Sequence, residues 1–288
     1  MTKLSEIPFF FSLLLVCFPV SSAENQSIIT DVVYGHKDGL ALTFDAHLPV
    51  EGNGAAVIII NSGGHRSPRF DLGGTYAQSE LPSMSPHHPL LEEGYVVFDL
   101  RHGSIPRYSI PEIVVDIQQG VEFIHQNAEH YEVNPEKIGV WGQSAGGHLA
   151  LLVALNPELA LAAESVGNES HLVSAVVAMA PLTDLASLMG SPREGSPGPP
   201  GMDFIKERYP DFSPSSFASA GDPPTLLIHG TEDNLVPMSQ SQLMHSALQD
   251  VGTDAQLLVI EGAGHLLWLR DEIFPPTLDW FNNHLLGK

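Results

Sequence analysis

At 288 residues the chain is long enough for one α/β domain whose core needs neither a metal nor a disulfide to hold it. Its 34 acidic residues outnumber 12 basic ones, and a formal net charge of -22 argues against nucleic acid and anionic membranes as partners while saying nothing about fold. One cysteine, Cys17, cannot build a disulfide framework.

The amino terminus reads as a secretory signal peptide. Met1-Thr2-Lys3 supplies the basic start, an apolar core runs from Phe9 to Val20, and Ser21-Ser22-Ala23 offers small residues for cleavage. That core is too short for a comfortable permanent span. Cleavage after Ala23 leaves Glu24 first, removes Cys17 and predicts a secreted or periplasmic protein with no membrane span in its mature form. Lipid anchoring at Cys17 is the alternative, and Val16 before it is bulkier than such a site takes.

Residues 28–34 and 40–48 predict two strands joined by Gly35, Lys37, Asp38 and Gly39, an antiparallel hairpin at a sheet edge. In the second, Leu42, Phe44, Ala46 and Leu48 alternate onto one face. Residues 55–60 are continuously apolar, as a parallel strand covered on both faces should be, and lead into Asn61-Ser62-Gly63-Gly64-His65. A long polar, proline-marked loop over 66–89 is expected at the rim of a site. His87-His88 within it reads as a solvated pair, and no ligand cluster is in view, so no metal is expected.

A strand at 95–100 follows, then a helix after Pro111 with Ile113, Ile117, Val121 and Ile124 on one stripe. Further strands are expected at 173–179, 225–229 and 256–260, with helices at 239–251 and 274–286. The Gly/Pro-rich residues 191–201 cannot form a regular element and read as a surface insertion, in a fold with a small cap or none. Repeated strand-helix alternation predicts a mostly parallel sheet of about eight strands, with helices on both faces, in one domain over residues 24–288.

The chemistry centres on Gly142-Gln143-Ser144-Ala145-Gly146, set between an apolar strand and an apolar helix. A G-x-S-x-G there is a nucleophile elbow, its glycines permitting the sharp turn that lifts the serine hydroxyl above the sheet. A serine needs a base within hydrogen-bond reach and an acid to orient that base. Asp233, in His229-Gly230-Thr231-Glu232-Asp233, and His265, in Gly262-Ala263-Gly264-His265, each lie just past a predicted strand, where open α/β sheets place their sites. Glu232 is the rival acid.

The order Ser144, Asp233, His265, carried by GQSAGGHL, HGTEDNLVP and GAGH, resembles the α/β-hydrolases of the esterase and lipase type, and among them the bacterial acetyl xylan esterase and feruloyl esterase group. The resemblance covers nearly the whole chain after the leader. It implies a serine carboxylesterase without a cofactor, acting on short acyl or aryl esters, with acetyl or feruloyl groups on carbohydrate as candidate substrates. It also implies an oxyanion hole of backbone N–H groups from Gly63, Gly64 and Ala145, although the family's H-G-G-G loop is here Asn61-Ser62-Gly63-Gly64. His65 and Arg66 are candidate substrate contacts or exposed loop charges. Asp184 resembles a position near the site in related esterases, with a turn cap as the plainer role. His148 is expected to be structural. Two other functions share the motifs: a peptidase of the prolyl oligopeptidase type, for whose extra propeller the mature chain leaves no room, and a non-catalytic binding protein on a hydrolase scaffold. Oligomeric state is not encoded in any of these features.

Overall fold

A computed structural model describes residues 27–67, 87–156, 172–189 and 209–288. The signal peptide expected at 1–23, the loop over 68–86 and the Gly/Pro-rich segment 191–201 lie outside the described residues.

The chain opens with β1 (Ser27–Lys37) and β2 (Leu40–Leu48), paired antiparallel through Lys37 and Leu40. Asp38 and Gly39 turn the chain at φ 48 and 78, a two-residue reversal whose left-handed backbone matches the strand twist. β3 (Ala56–Ile60), β4 (Val96–Leu100), β5 (Ile138–Gln143), β6 (Ala175–Met179), β7 (Thr225–Gly230) and β8 (Ala255–Ile260) complete one eight-stranded sheet, ordered β1-β2-β4-β3-β5-β6-β7-β8. From β3 through β8 every pairing is parallel; only β1 with β2 and β2 with β4 are antiparallel. This is the α/β-hydrolase architecture.

β3, β4, β5 and β6 owe their position to their side chains. Each is almost wholly buried and, Asp99 of β4 and Gln143 at the end of β5 apart, apolar or glycine on both faces, at about 1.5–3 kcal/mol for each large aliphatic, so each must lie inside the sheet. On one face Ile58, Phe98 and Val140 pack with α2 (Ile110–Gln126), α3 (Ala145–Leu155) and α5 (Ser239–Asp250). On the other Val57, Val97 and Val177 meet Leu90 and Leu91 of α1 (His87–Glu92) and Phe274 and Phe281 of α6 (Phe274–Phe281). The short α4 (Leu185–Met189) follows β6. α2 starts where a capping box closes it: the Ser109 side chain accepts from the Glu112 amide, while the Glu112 carboxylate accepts from Ser109 N–H at 2.8 Å.

One sequence expectation needs amendment. The closing helix predicted over 274–286 is α-helical only to Phe281, with a π-helical turn at Asn282–Leu286 and Gly287 ending it at φ 67. β2 is covered on both faces: Asp45 and His47 are buried as well as Phe44 and Ala46, because β2 lies between β1 and β4 with α1 alongside. Parallel strands placed in this order bring the carboxyl ends of β3, β5, β6, β7 and β8 to one side, and the loops after them carry residues 61–66, Ser144, Asp184, Asp233 and His265.

Candidate active site

Ser144 sits between β5 and α3 at φ 57, ψ -121, a conformation costing a non-glycine residue about 1–3 kcal/mol and kept only where the surroundings over-determine it. Two close backbone approaches do so. A Cβ on Gly142 would come 2.3 Å from the Gly146 carbonyl oxygen, and one on Gly146 would come 2.4 Å from that of Ile60 at the end of β3. Only glycine fits either place. The Ser144 N–H donates to the Met179 carbonyl of β6 at 2.8 Å, and its carbonyl accepts from His148 N–H at 2.9 Å.

The hydroxyl meets its expected partners. His265 Nε2 lies 2.9 Å from Ser144 Oγ, and His265 Nδ1 lies 2.7 Å from Asp233 Oδ2. A carboxylate can only accept, so Nδ1 carries the proton and Nε2 presents its lone pair to the serine hydroxyl. The Asp233 side chain is 1% exposed. Its Oδ1 accepts from the N–H groups of Leu235 and Val236 at 2.8 and 2.9 Å, and its Oδ2 also faces His229 Nε2 at 3.4 Å. That His229 proton has a closer acceptor in the Val236 carbonyl at 2.9 Å. Glu232, the rival acid, is exposed. The Asp233 and His265 loops interlock through Glu232 N–H to the Ala263 carbonyl at 2.9 Å.

The loop after β3 shows what remains of the H-G-G-G pattern. Asn61 does not face the serine: its Nδ2 donates to Asp99 Oδ1 on β4. Gly63 and Arg66 exchange backbone hydrogen bonds at 3.0 and 3.2 Å, so the Gly63 N–H is already committed and is not free for an oxyanion. Of the three amides expected at the oxyanion hole, Gly64, exposed at φ 57, and Ala145, at the start of α3, remain candidates. Gly146 N–H donates to the Ser62 carbonyl at 3.2 Å, tying this loop to the elbow.

His65 is neither a substrate contact nor an exposed charge. It is buried, with Nε2 2.9 Å from His148 Nδ1, while His148 Nε2 lies 2.7 Å from the Phe212 carbonyl. The carbonyl must accept, so the single proton of a neutral His148 is on Nε2, and His65 donates to Nδ1. Burial pushes both imidazoles down, His148 to about 4 and His65 well below its ordinary value, the latter also through His148 and His102 nearby. The His65 carbonyl accepts from Ile105 N–H at 3.1 Å. Arg66 is exposed. Asp184 caps α4, its Oδ1 accepting from Ala186 and Ser187 N–H at 3.0 and 3.2 Å.

Gln143 was not singled out from the sequence. Its Nε2 donates to the His265 carbonyl at 2.7 Å and its Oε1 accepts from Trp268 N–H at 3.0 Å, so it clamps the loop that carries the histidine. The available signal was an amide in the variable position of G-x-S-x-G, ending an otherwise apolar strand. The pair His87-His88 divides: His88 is exposed, whereas His87 opens α1 and is buried beside His47 and Asp99, correcting the expectation of a solvated pair with no ligand cluster near it.

The BD-FAE family profile matches residues 45–248, a span holding Ser144 and Asp233. The chain belongs to the BD-FAE family. Among curated relatives, the esterase LipQ of Mycobacterium tuberculosis is 29% identical over 57% of this chain and 40% of its own length. The isoprenylcysteine alpha-carbonyl methylesterase ICME of Arabidopsis thaliana is 26% identical over 95% of this chain and 65% of its own. The chain thus spans between two fifths and two thirds of the length of these curated relatives. Among solved structures, a truncated carbohydrate esterase from gut microbiota superposes with a TM-score of 0.73 at 25% identity, covering 92% of this chain and 99% of that one. An esterase of Thermogutta terrifontis shares the fold, with a TM-score of 0.67 and 23% identity over 91% of this chain and 94% of its own. Among the described residues no helix is long and apolar enough to cross a membrane.

Proposed function

We propose that this BD-FAE member is a serine carboxylesterase. The observation that carries the reading is the continuous relay from Ser144 through His265 to the buried Asp233, at 2.9 and 2.7 Å. Ser144 Oγ attacks the ester carbonyl as its proton passes to His265 Nε2, and Asp233 stabilises the imidazolium without itself taking the proton. The oxyanion is met by the N–H groups of Ala145 and Gly64, each worth about 3–4 kcal/mol to the transition state where such a donor is well placed. His265 returns the proton to the departing alkoxide, and water, deprotonated by the same nitrogen, releases the acid from the acyl-serine.

The substrate class we propose is a short acyl or aryl ester, with acetyl or feruloyl groups on carbohydrate as the preferred candidates. The carbohydrate esterase among the structural relatives supports this, as does the exposed apolar Leu266 next to His265. We further propose that residues 1–23 are a signal peptide, that cleavage near Ala23 delivers residues 24–288 outside the cytoplasm as one catalytic domain, and that the strongly acidic chain has no nucleic-acid partner.

The test is hydrolysis of p-nitrophenyl acetate, alongside acetylated and feruloylated xylan, by the purified protein. Activity is expected on the small ester, and Ser144→Ala should lower kcat by at least about 10⁴-fold with the fold retained. Unchanged turnover in Ser144→Ala removes the assignment. Preference for aminoacyl-proline amides over esters converts it to a peptidase.

A further inference from the structure

On the face of the sheet opposite α3, three ligand-type side chains converge outside the Ser144 site. His47 comes from β2, Asp99 from β4 and His87 from the first position of α1. In the antiparallel register Asp45 lies opposite Asp99 and His47 opposite Val97, so His47 and Asp99 are diagonal neighbours on one face, over which α1 lays His87. One nitrogen or oxygen from each lies within 4.8 Å of the other two. The two imidazoles meet edge to face at 4.9 Å, and His87 Nε2 is 3.8 Å from Asp99 Oδ1. All three residues are buried, at 5, 8 and 1% exposure for His47, His87 and Asp99.

Two features of this cluster are costly without a further occupant. His47 Nε2 is buried with no hydrogen-bond partner among the described residues, a deficit typically of about 1–3 kcal/mol. Asp99 is a buried carboxylate, and Arg101, two residues on, holds Asp45 through two nitrogens, at 2.6 and 3.0 Å. Asn61 gives Asp99 one amide hydrogen bond and no charge.

We propose that His47, His87 and Asp99 form a binding site for a divalent transition metal of the zinc class. Two imidazole nitrogens and one carboxylate oxygen are a borderline-soft donor set that suits Zn²⁺ or Co²⁺ and offers too few oxygens for Ca²⁺ or Mg²⁺. Tetrahedral bonds of about 2.0–2.2 Å bring ligand atoms to roughly 3.4 Å from one another, so the cluster tightens by small side-chain rotations on binding, with water in the fourth position. The cation supplies the charge Asp99 lacks and the partner His47 Nε2 lacks. It also joins β2, β4 and α1 at one point. Through Asp99 and Asn61 the site touches the root of the loop carrying Gly64, so its first role is structural support of that loop, at a distance from the ester chemistry.

The experiment uses untagged protein stripped with EDTA and titrated with ZnCl₂ by calorimetry, with CoCl₂ absorption as a second readout. One equivalent of Zn²⁺ should bind with Kd below about 1 µM and raise the melting temperature, and Co²⁺ should give the intense visible bands of four-coordination. His47→Phe and His87→Gln, the latter at the first position of α1, should each weaken Zn²⁺ binding at least a hundredfold. Absence of saturable binding, a pale six-coordinate Co²⁺ spectrum, or affinity undiminished in both variants overturns the proposal.

Discussion

Asp233 shows how one residue can be chosen over its neighbour. Glu232 and Asp233 are carboxylates on adjacent residues, yet Glu232 is exposed while the Asp233 side chain is buried, with Oδ1 fixed by two backbone N–H groups and Oδ2 left to face His265. That arrangement leaves the aspartate no freedom to turn away, and it makes Nδ1 the protonated nitrogen of His265. In Asp233→Asn the amide can keep Oδ1 over the Leu235 and Val236 N–H groups only by pointing its NH₂ at His265, which forces the imidazole into the tautomer that cannot accept from Ser144. The expected result is a fall in kcat of about 10³–10⁴-fold with KM and melting temperature little changed, and no effect from Glu232→Gln. Steady-state hydrolysis of p-nitrophenyl acetate by the two variants decides; a loss in Glu232→Gln with Asp233→Asn intact would reverse the roles.

At the level of elements, the junction of β3, β5 and α3 depends on a backbone approach that no side chain could share. Gly146→Ala drives a methyl to 2.4 Å from the Ile60 carbonyl, whereas at Gly264, in the same rim of loops, the nearest atom to an added Cβ is 3.8 Å away. Gly146→Ala should cost about 1–3 kcal/mol and lower the melting temperature by several degrees, while Gly264→Ala should stay within about 1 °C, as thermal unfolding of the pair will show. The strand at 56–60 and the elbow were legible because continuous apolar runs and G-x-S-x-G are local signals. Asp233 and His265 were legible for a related reason, each following its own strand in chain order. What escaped was set by partners far along the chain. Gln143 meets Trp268, His65 meets His148, and His87 meets His47 and Asp99, pairings that exist only once strand order is settled. Gly63 was misjudged on the same ground: a four-residue pattern shows which amides are near, but not that one already donates to Arg66.

Across the whole molecule, acid is expected to act through buried imidazoles before it acts through surface charge. His148 is held neutral to about pH 4 by burial, opposed in part by the Phe212 carbonyl, while an unfolded histidine ionises near 6.5. Protons therefore bind the unfolded chain preferentially between those values. This contribution is complete above about pH 6.5 and is lost as pH falls, at about 1.4 kcal/mol per unit for one proton. His65, which faces His148 and His102 and is also pushed down, adds in the same direction. The net charge of -22 acts oppositely, since neutralising carboxylates relieves self-repulsion, but ordinary carboxylates titrate near pH 4, below most of this window. From pH 6.5 to 5 the histidines dominate, and urea unfolding should show stability falling by about 2 kcal/mol for His148 alone. His148→Gln retains an N–H donor for Phe212 and has nothing to titrate, so it should flatten the slope by about one proton over that interval. An unchanged slope in that variant would place the acid sensitivity elsewhere and leave the His65–His148 contact as packing, with no part in the response of the oxyanion loop to pH.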